Sequence, residues 1–146
     1  MPSYSNKSKE KLATCHPMIQ EVFNEVIKHF DCSIICGFRG EHEQNEAFRL
    51  GNSQKKWPNS KHNKNPSLAV DAPPYPIDWN DRERFIYFAG HVMGIARMKG
   101  IQLIWGGDWN SDTILKNNRF DDLAHFELKT FRDAAEVNYP NQSKIG

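Results

Sequence analysis

Apolar residues recur at helical spacing in "PMIQEVFNEVIKHF", where Met18, Ile19, Val22, Phe23, Val26, Ile27 and Phe30 fall three or four positions apart. The pattern predicts an amphipathic helix of about four turns, opened by Pro17, whose fixed φ suits a first helical turn. The period then changes. "CSIICGF" is a short apolar run that predicts a buried strand stopped at Gly37, and "GEHEQNEAFRLG" predicts a shorter helix ending at Gly51. From Asn52 to Asn65 the chain carries turn chemistry alone. "SLAVDA" returns to alternation, with Leu68 and Val70 on one face and Ala69 and Asp71 on the other. "PPYP" closes it, because proline cannot donate to a ladder.

The longest helix is expected in "IDWNDRERFIYFAGHVMGIARMKG". Phe85, Phe88, Ala89, Val92, Met93 and Ala96 share a stripe, Asn80 serves as the cap and Gly100 as the stop. Gly90 and Gly94 inside it mark places where the helix lies close against a sheet. "IQLIW" predicts a strand, "GGDWNSD" a turn-rich loop and "LAHFEL" a last strand, before a weak helix from Phe131 to Val137 and a polar tail. The expected fold class is α+β, a small, mostly antiparallel sheet packed by helices on one side. We expect one domain over 1–146, its core running from about residue 12 to 128 between a short N-terminal arm and the tail.

Composition narrows the function classes. The net charge of +1 gives no overall field for nucleic acid, and lysines gather only mildly at Lys55, Lys56, Lys61 and Lys64. No stretch approaches the roughly 20 apolar residues of a membrane span, and the N-terminus lacks the apolar core of a signal peptide. Cys15, Cys32 and Cys36 form no CxxC pair; Cys32 and Cys36, in their apolar run, read as small buried hydrophobes. Synthesis in a reducing cytoplasm is expected, with another factor releasing the protein for any action outside it.

Of the histidines, His29 and His91 fall inside helices, His16 sits before the helix-opening proline, and His42 opens the second helix. His62 and His125 differ, because each has carboxylates at short range. His62 precedes Asp71 by nine residues across a proline-punctuated turn, and "FDDLAHFEL" sets Asp122 three residues before His125. A catalytic zinc needs three protein ligands drawn from His, Asp, Glu and Cys, with one position open to water. His62, Asp71 and His125 supply such a set. Asp122 remains as the group that takes a proton from the attacking water.

"SKHNKNPSLAVD", followed about fifty residues later by "DLAHFEL", resembles the zinc peptidases of the D-alanyl-D-alanine carboxypeptidase or VanY-like group. Within it, the phage endolysins that act as L-alanyl-D-glutamate endopeptidases are the nearest in pattern. Ser60, His62, Ala69, Asp71, Asp122 and His125 occupy the family's Ser-x-His, Ala-x-Asp and Asp-x-x-His positions. Gly37, Phe38 and Arg39 match its Gly-x-Arg element, Gln44 its following glutamine, and "WGGDW" its glycine-rich turn. The resemblance covers about Leu12 to Leu128. It implies a Hedgehog/DD-peptidase-like zinc fold, zinc on His62, Asp71 and His125, and Asp122 as catalytic acid/base. It also implies that Arg39 stabilises the oxyanion or grips a substrate carboxylate. Gln44, Ser60 and Trp109 are then placed along the substrate, which is the stem peptide of peptidoglycan. A monomer is expected, with no nucleic-acid partner and no membrane insertion.

The chain departs from the family pattern in two places, the first where "NKNPS" replaces a tighter, glycine-containing turn between His62 and Asp71. Extra loop residues cost little closure entropy, so the metal set survives the change. At the second, Asp121 competes with Asp122 for the basic role, and adjacent residues on an extended strand point to opposite faces. Glu127 shares a face with His125 and is placed to orient it. The same zinc site serves a D-Ala-D-Ala carboxypeptidase, which recognises a free C-terminal carboxylate, or a non-catalytic zinc-stabilised binding module.

Overall fold

The computed structural model describes residues 2–117 and 120–130; the weak helix expected from Phe131 to Val137 lies outside them. The elements run α1 (Asn6–Ala13), α2 (Pro17–Val26), α3 (Glu41–Arg49), β1 (Ala69–Asp71), α4 (Arg82–Met98), β2 (Leu103–Trp105) and β3 (His125–Leu128), with short 3-10 turns at Lys61–Asn63 and Leu115–Asn117. The three strands form an antiparallel sheet in the order β1-β3-β2. This is the α+β class that the alternation of periods predicts.

Period-2 geometry on β3 separates the core from the chemistry. Phe126 is fully buried and meets Phe23 of α2 edge-on at 5.6 Å and Phe88 of α4 at 6.3 Å. Burial of such a ring contributes about 1.5–3 kcal/mol. His125 and Glu127 leave the opposite face, away from the helices. Helix α2 buries Ile19, Val22, Phe23 and Val26, and α4 buries Phe85, Phe88, Ala89, Val92 and Ala96. His16 caps α2 by accepting from Met18 N–H at 3.1 Å.

Four expectations change. The N-terminal arm is part of the fold: Ser5 caps α1, Ser8 and Leu12 are buried, and the buried Tyr4 hydroxyl donates to the Phe23 carbonyl at 2.7 Å. The strand expected at "CSIICGF" forms single bridges only, Cys32 with Pro74 and Cys36 with Asp71. Pro73 and Pro74 face it and have no N–H to donate, so the ladder cannot extend. Ser33 N–H still reaches the Pro73 carbonyl at 3.0 Å, and Ile35 N–H the Asp71 carbonyl at 2.9 Å. Asp81, not Asn80, caps α4 by accepting from Arg84 N–H. Finally, a β-carbon at Gly90 or Gly94 would meet nothing within 4 Å, so these glycines face open space rather than a sheet.

Candidate metal centre

Asp71 ends β1 directly opposite His125 of β3, and the bridge to Cys36 lies on its other side. Directly opposed residues on one sheet face have β-carbons about 4.5–5.5 Å apart, so the three side chains form a lateral row. His62 joins from the Lys61–Asn63 turn. Ser60 caps that turn by accepting from His62 N–H at 3.1 Å, and Asn63 Oδ1 accepts from Ser60 N–H, a reciprocal capping box. Asn63 also donates to the Arg39 carbonyl and to Gln44 Oε1, which ties the turn to the Gly-x-Arg segment.

Two imidazole nitrogens converge on one oxygen. His62 Nε2 and His125 Nδ1 each lie 3.2 Å from Asp71 Oδ1, and the two rings are 5.1 Å apart. The other nitrogen of each ring is already used: His62 Nδ1–H donates to the Gly37 carbonyl at 2.7 Å, and His125 Nε2–H donates to Glu127 Oε1 at 2.8 Å. In their neutral forms both imidazoles therefore turn lone pairs toward a carboxylate. Two imidazole lone pairs turned to one carboxylate, with all three groups held from behind by hydrogen bonds, is donor chemistry that suits a cation. A ligand oxygen of Asp122 completes a group with Asp71 and His125 whose atoms lie within 4.8 Å of one another.

The electrostatics follow from the same crowding. Burial opposes charge on all of these groups. For His62 the charge and hydrogen bond of Asp71 outweigh burial and raise its pKa to about 10; for His125 the bonds to Asp71 and Glu127 raise it to about 9. Asp71 is held well below the usual carboxylate range, because the two imidazoles overcome its burial. Asp122 is pushed up, first by burial and then by the charge of Asp71. Glu127 is held low despite burial by His125 and by Lys61, whose ammonium sits 2.7 Å from Glu127 Oε2.

The remaining predicted residues divide. Arg39 Nη2 donates to Asp71 Oδ2 at 3.3 Å and Nη1 to Gln44 Oε1 at 3.1 Å, so its guanidinium holds the carboxylate oxygen that the imidazoles do not face. Trp109 lies 5.3 Å from the His125 ring and is anchored by its indole N–H on the Phe120 carbonyl. Asp121 pairs with Arg82 of α4, which leaves Asp122 as the carboxylate at the centre. Gln44 and Ser60 are both buried and bonded within the protein. Gln44 is fully buried and spends its amide on Ser53 and the Lys55 carbonyl, and Ser60 is buried as the cap of the His62 turn. Both position the site from behind.

Sequence reasoning missed three contributors. Cys36 is half-buried rather than buried, with its thiol 3.7 Å from His62 Nδ1. Lys61 is not a free surface lysine: it bonds Glu127 and donates to the Leu128 carbonyl, which fastens the His62 turn to β3. Gly106 lets two backbones touch, since a β-carbon there would stand 2.0 Å from the Asp122 carbonyl oxygen. Their only signal in the sequence was proximity to the motif residues.

The family model described as phage L-alanyl-D-glutamate peptidase matches residues 2–129. No curated protein sequence matches the chain. Among solved structures, the crystal structure of Serratia marcescens L-Ala D-Glu endopeptidase ChiX is similar, with a TM-score of 0.69 and 29% identity. The likeness covers 91% of this chain and 94% of that one.

Proposed function

The chain belongs to the phage L-alanyl-D-glutamate peptidase family, a peptidase family acting on peptidoglycan, and from that premise we propose a zinc centre on His62, Asp71 and His125 with Asp122 as its acid/base. The observation that carries this reading is the convergence of His62 Nε2 and His125 Nδ1 on one Asp71 oxygen, with each outer nitrogen committed elsewhere. Zinc held there supplies Lewis-acid polarisation of the scissile carbonyl and acidifies water toward a pKa of about 7.

The chain's own residues do the rest. Asp122, its proton affinity raised by burial and by Asp71, accepts a proton from the attacking water and returns it to the leaving amine nitrogen. Arg39 fixes Asp71 through Oδ2, keeps Oδ1 turned to the imidazoles, and brings positive charge beside the oxygen that becomes anionic. Trp109 walls the centre beside His125. Among the described residues no helix is long and apolar enough to cross a membrane. We place the protein as a monomer made in the host cytoplasm, reaching the wall once another factor admits it.

The family and the Serratia neighbour are both L-Ala–D-Glu peptidases, which favours that bond over the D-Ala–D-Ala bond. The test is metal content of the purified protein together with mass spectrometry of digested muropeptides. Zinc near one equivalent and a new free D-glutamyl amine are expected. Released terminal D-alanine would assign the carboxypeptidase activity instead, and full turnover without bound metal would end the zinc reading.

A further inference from the structure

Cys36 adds a thiol to the proposed centre. Its Sγ, one His62 nitrogen and one Asp71 oxygen lie within 4.8 Å of one another, a second donor group that shares two residues with the first. The placement is built into the backbone. Cys36 and Asp71 are bridge partners, with Asp71 N–H donating to the Cys36 carbonyl at 2.9 Å, so the thiol is set on the flank of Asp71 that His125 does not occupy. Its polar contacts are the Gly37 carbonyl at 3.6 Å and His62 Nδ1 at 3.7 Å, both long. The other two thiols are not comparable. Cys15 and Cys32 are buried, and burial pushes each up to about 12.

We propose that Cys36, with His62 and Asp71, forms a sulfur-containing subsite that draws thiophilic divalent cations, cadmium being the probe, into this centre in preference to the zinc-type set. The inference rests on the metal centre proposed above. Sulfur ligands select soft cations, whereas imidazole and carboxylate alone discriminate weakly among divalent ions. Binding breaks the S–H bond, forms a sulfur–metal bond with the sulfur lone pair, and releases the proton to solvent; nothing is oxidised or reduced. A consequence is that traces of soft metal would hold His62 and Asp71 away from the arrangement used for hydrolysis.

The experiment titrates the metal-free full chain with cadmium alone and with zinc alone, in wild type, Cys36→Ser, Cys36→Ala and Asp71→Ala. In wild type, cadmium should give the ultraviolet charge-transfer band of a thiolate–cadmium bond. Both Cys36 variants should lose the band and bind cadmium about 10-fold more weakly or worse, on the scale of losing one supporting group at a metal site, with zinc affinity unchanged. A band that persists without Cys36, or equal cadmium affinity in all Cys36 forms, overturns the subsite. Zinc bound by wild type and lost in Asp71→Ala would then leave the main centre standing. Failure of wild type to take either ion would overturn both.

Discussion

Asp71 and His125 stand directly opposite each other across the β1–β3 ladder, with His125 Nδ1 3.2 Å from Asp71 Oδ1. Strand register thus fixes two of the three proposed ligands before any side chain turns. A slip of one residue would send Asp71 and His125 to opposite faces.

The roles of ligand and base separate in two classes of variant. His62→Ala and His125→Ala are expected to lose zinc and wall lysis together. Asp122→Asn should keep zinc and lose about 10²- to 10⁴-fold in hydrolysis rate, the range for a positioned acid/base. Zinc analysis beside a turbidity assay on purified walls reads both, and full lysis by Asp122→Asn would rule out this carboxylate.

Behind His125 stands a relay, Glu127 accepting from the ring and Lys61 holding Glu127. Glu127→Ala should weaken zinc binding roughly 10- to 100-fold, as loss of a group orienting a ligand does. Lys61→Met, acting one step further back, should cost less. Competition with a chelator gives both constants, and equal or inverted losses would contradict the relay.

Protonation gives a signed pH dependence in the chelator-treated protein. His62 and His125 are raised to about 10 and about 9, above the unfolded value of about 6.5. Their contribution to stability is therefore complete below about pH 6.5 and lost as pH climbs through 9 to 10. Asp71, held low, stays ionised throughout this window. The urea midpoint of the metal-free protein should fall from pH 7 to 10, and zinc-loaded protein should not follow, because the cation takes over from the two protons. A flat metal-free profile would count against the cluster.

Gly106→Ala tests the backbone contact that seats Asp122. The new methyl would meet the Asp122 carbonyl oxygen at 2.0 Å, where Asp122 N–H already bonds the Gly106 carbonyl at 2.8 Å. Overpacking of this kind costs about 1–3 kcal/mol. A drop in denaturation midpoint with a larger fractional loss of lysis is expected, and wild-type values for both would show the loop gives way freely.

The sequence declared what periodicity and motif chemistry can express. Stripes on α2 and α4 and the alternation at Asp71 and His125 are one-dimensional signals, and each became the expected kind of element, although α2 ends at Val26, short of the four turns its stripe predicts. Helix α1 was not legible because "NKSKEKLA" buries only Ser8 and Leu12, too little for an apolar stripe. "CSIIC" was misread because two prolines that share no motif with it decide its hydrogen bonding. The burial of Gln44 and Ser60 was not legible either, because it depends on partners scattered from Arg39 to Asn63. The pairing of Asp121 with Arg82, thirty-nine positions away, likewise has no local signal in the sequence.

Helix α1 reaches the proposed metal centre by a short mechanical route. Ser8 Oγ accepts from Ile34 N–H at 2.9 Å, Thr14 Oγ1 accepts from Phe38 N–H at 2.9 Å, and Gly37 between them carries the carbonyl that fixes His62. A β-carbon on Gly37 would strike Thr14 and Lys11, so this seam is tight as well as bonded. Trimming or re-engineering the first dozen residues would therefore loosen a histidine some fifty positions downstream, and a leading segment that looks dispensable on paper becomes the hinge pin of the proposed metal centre.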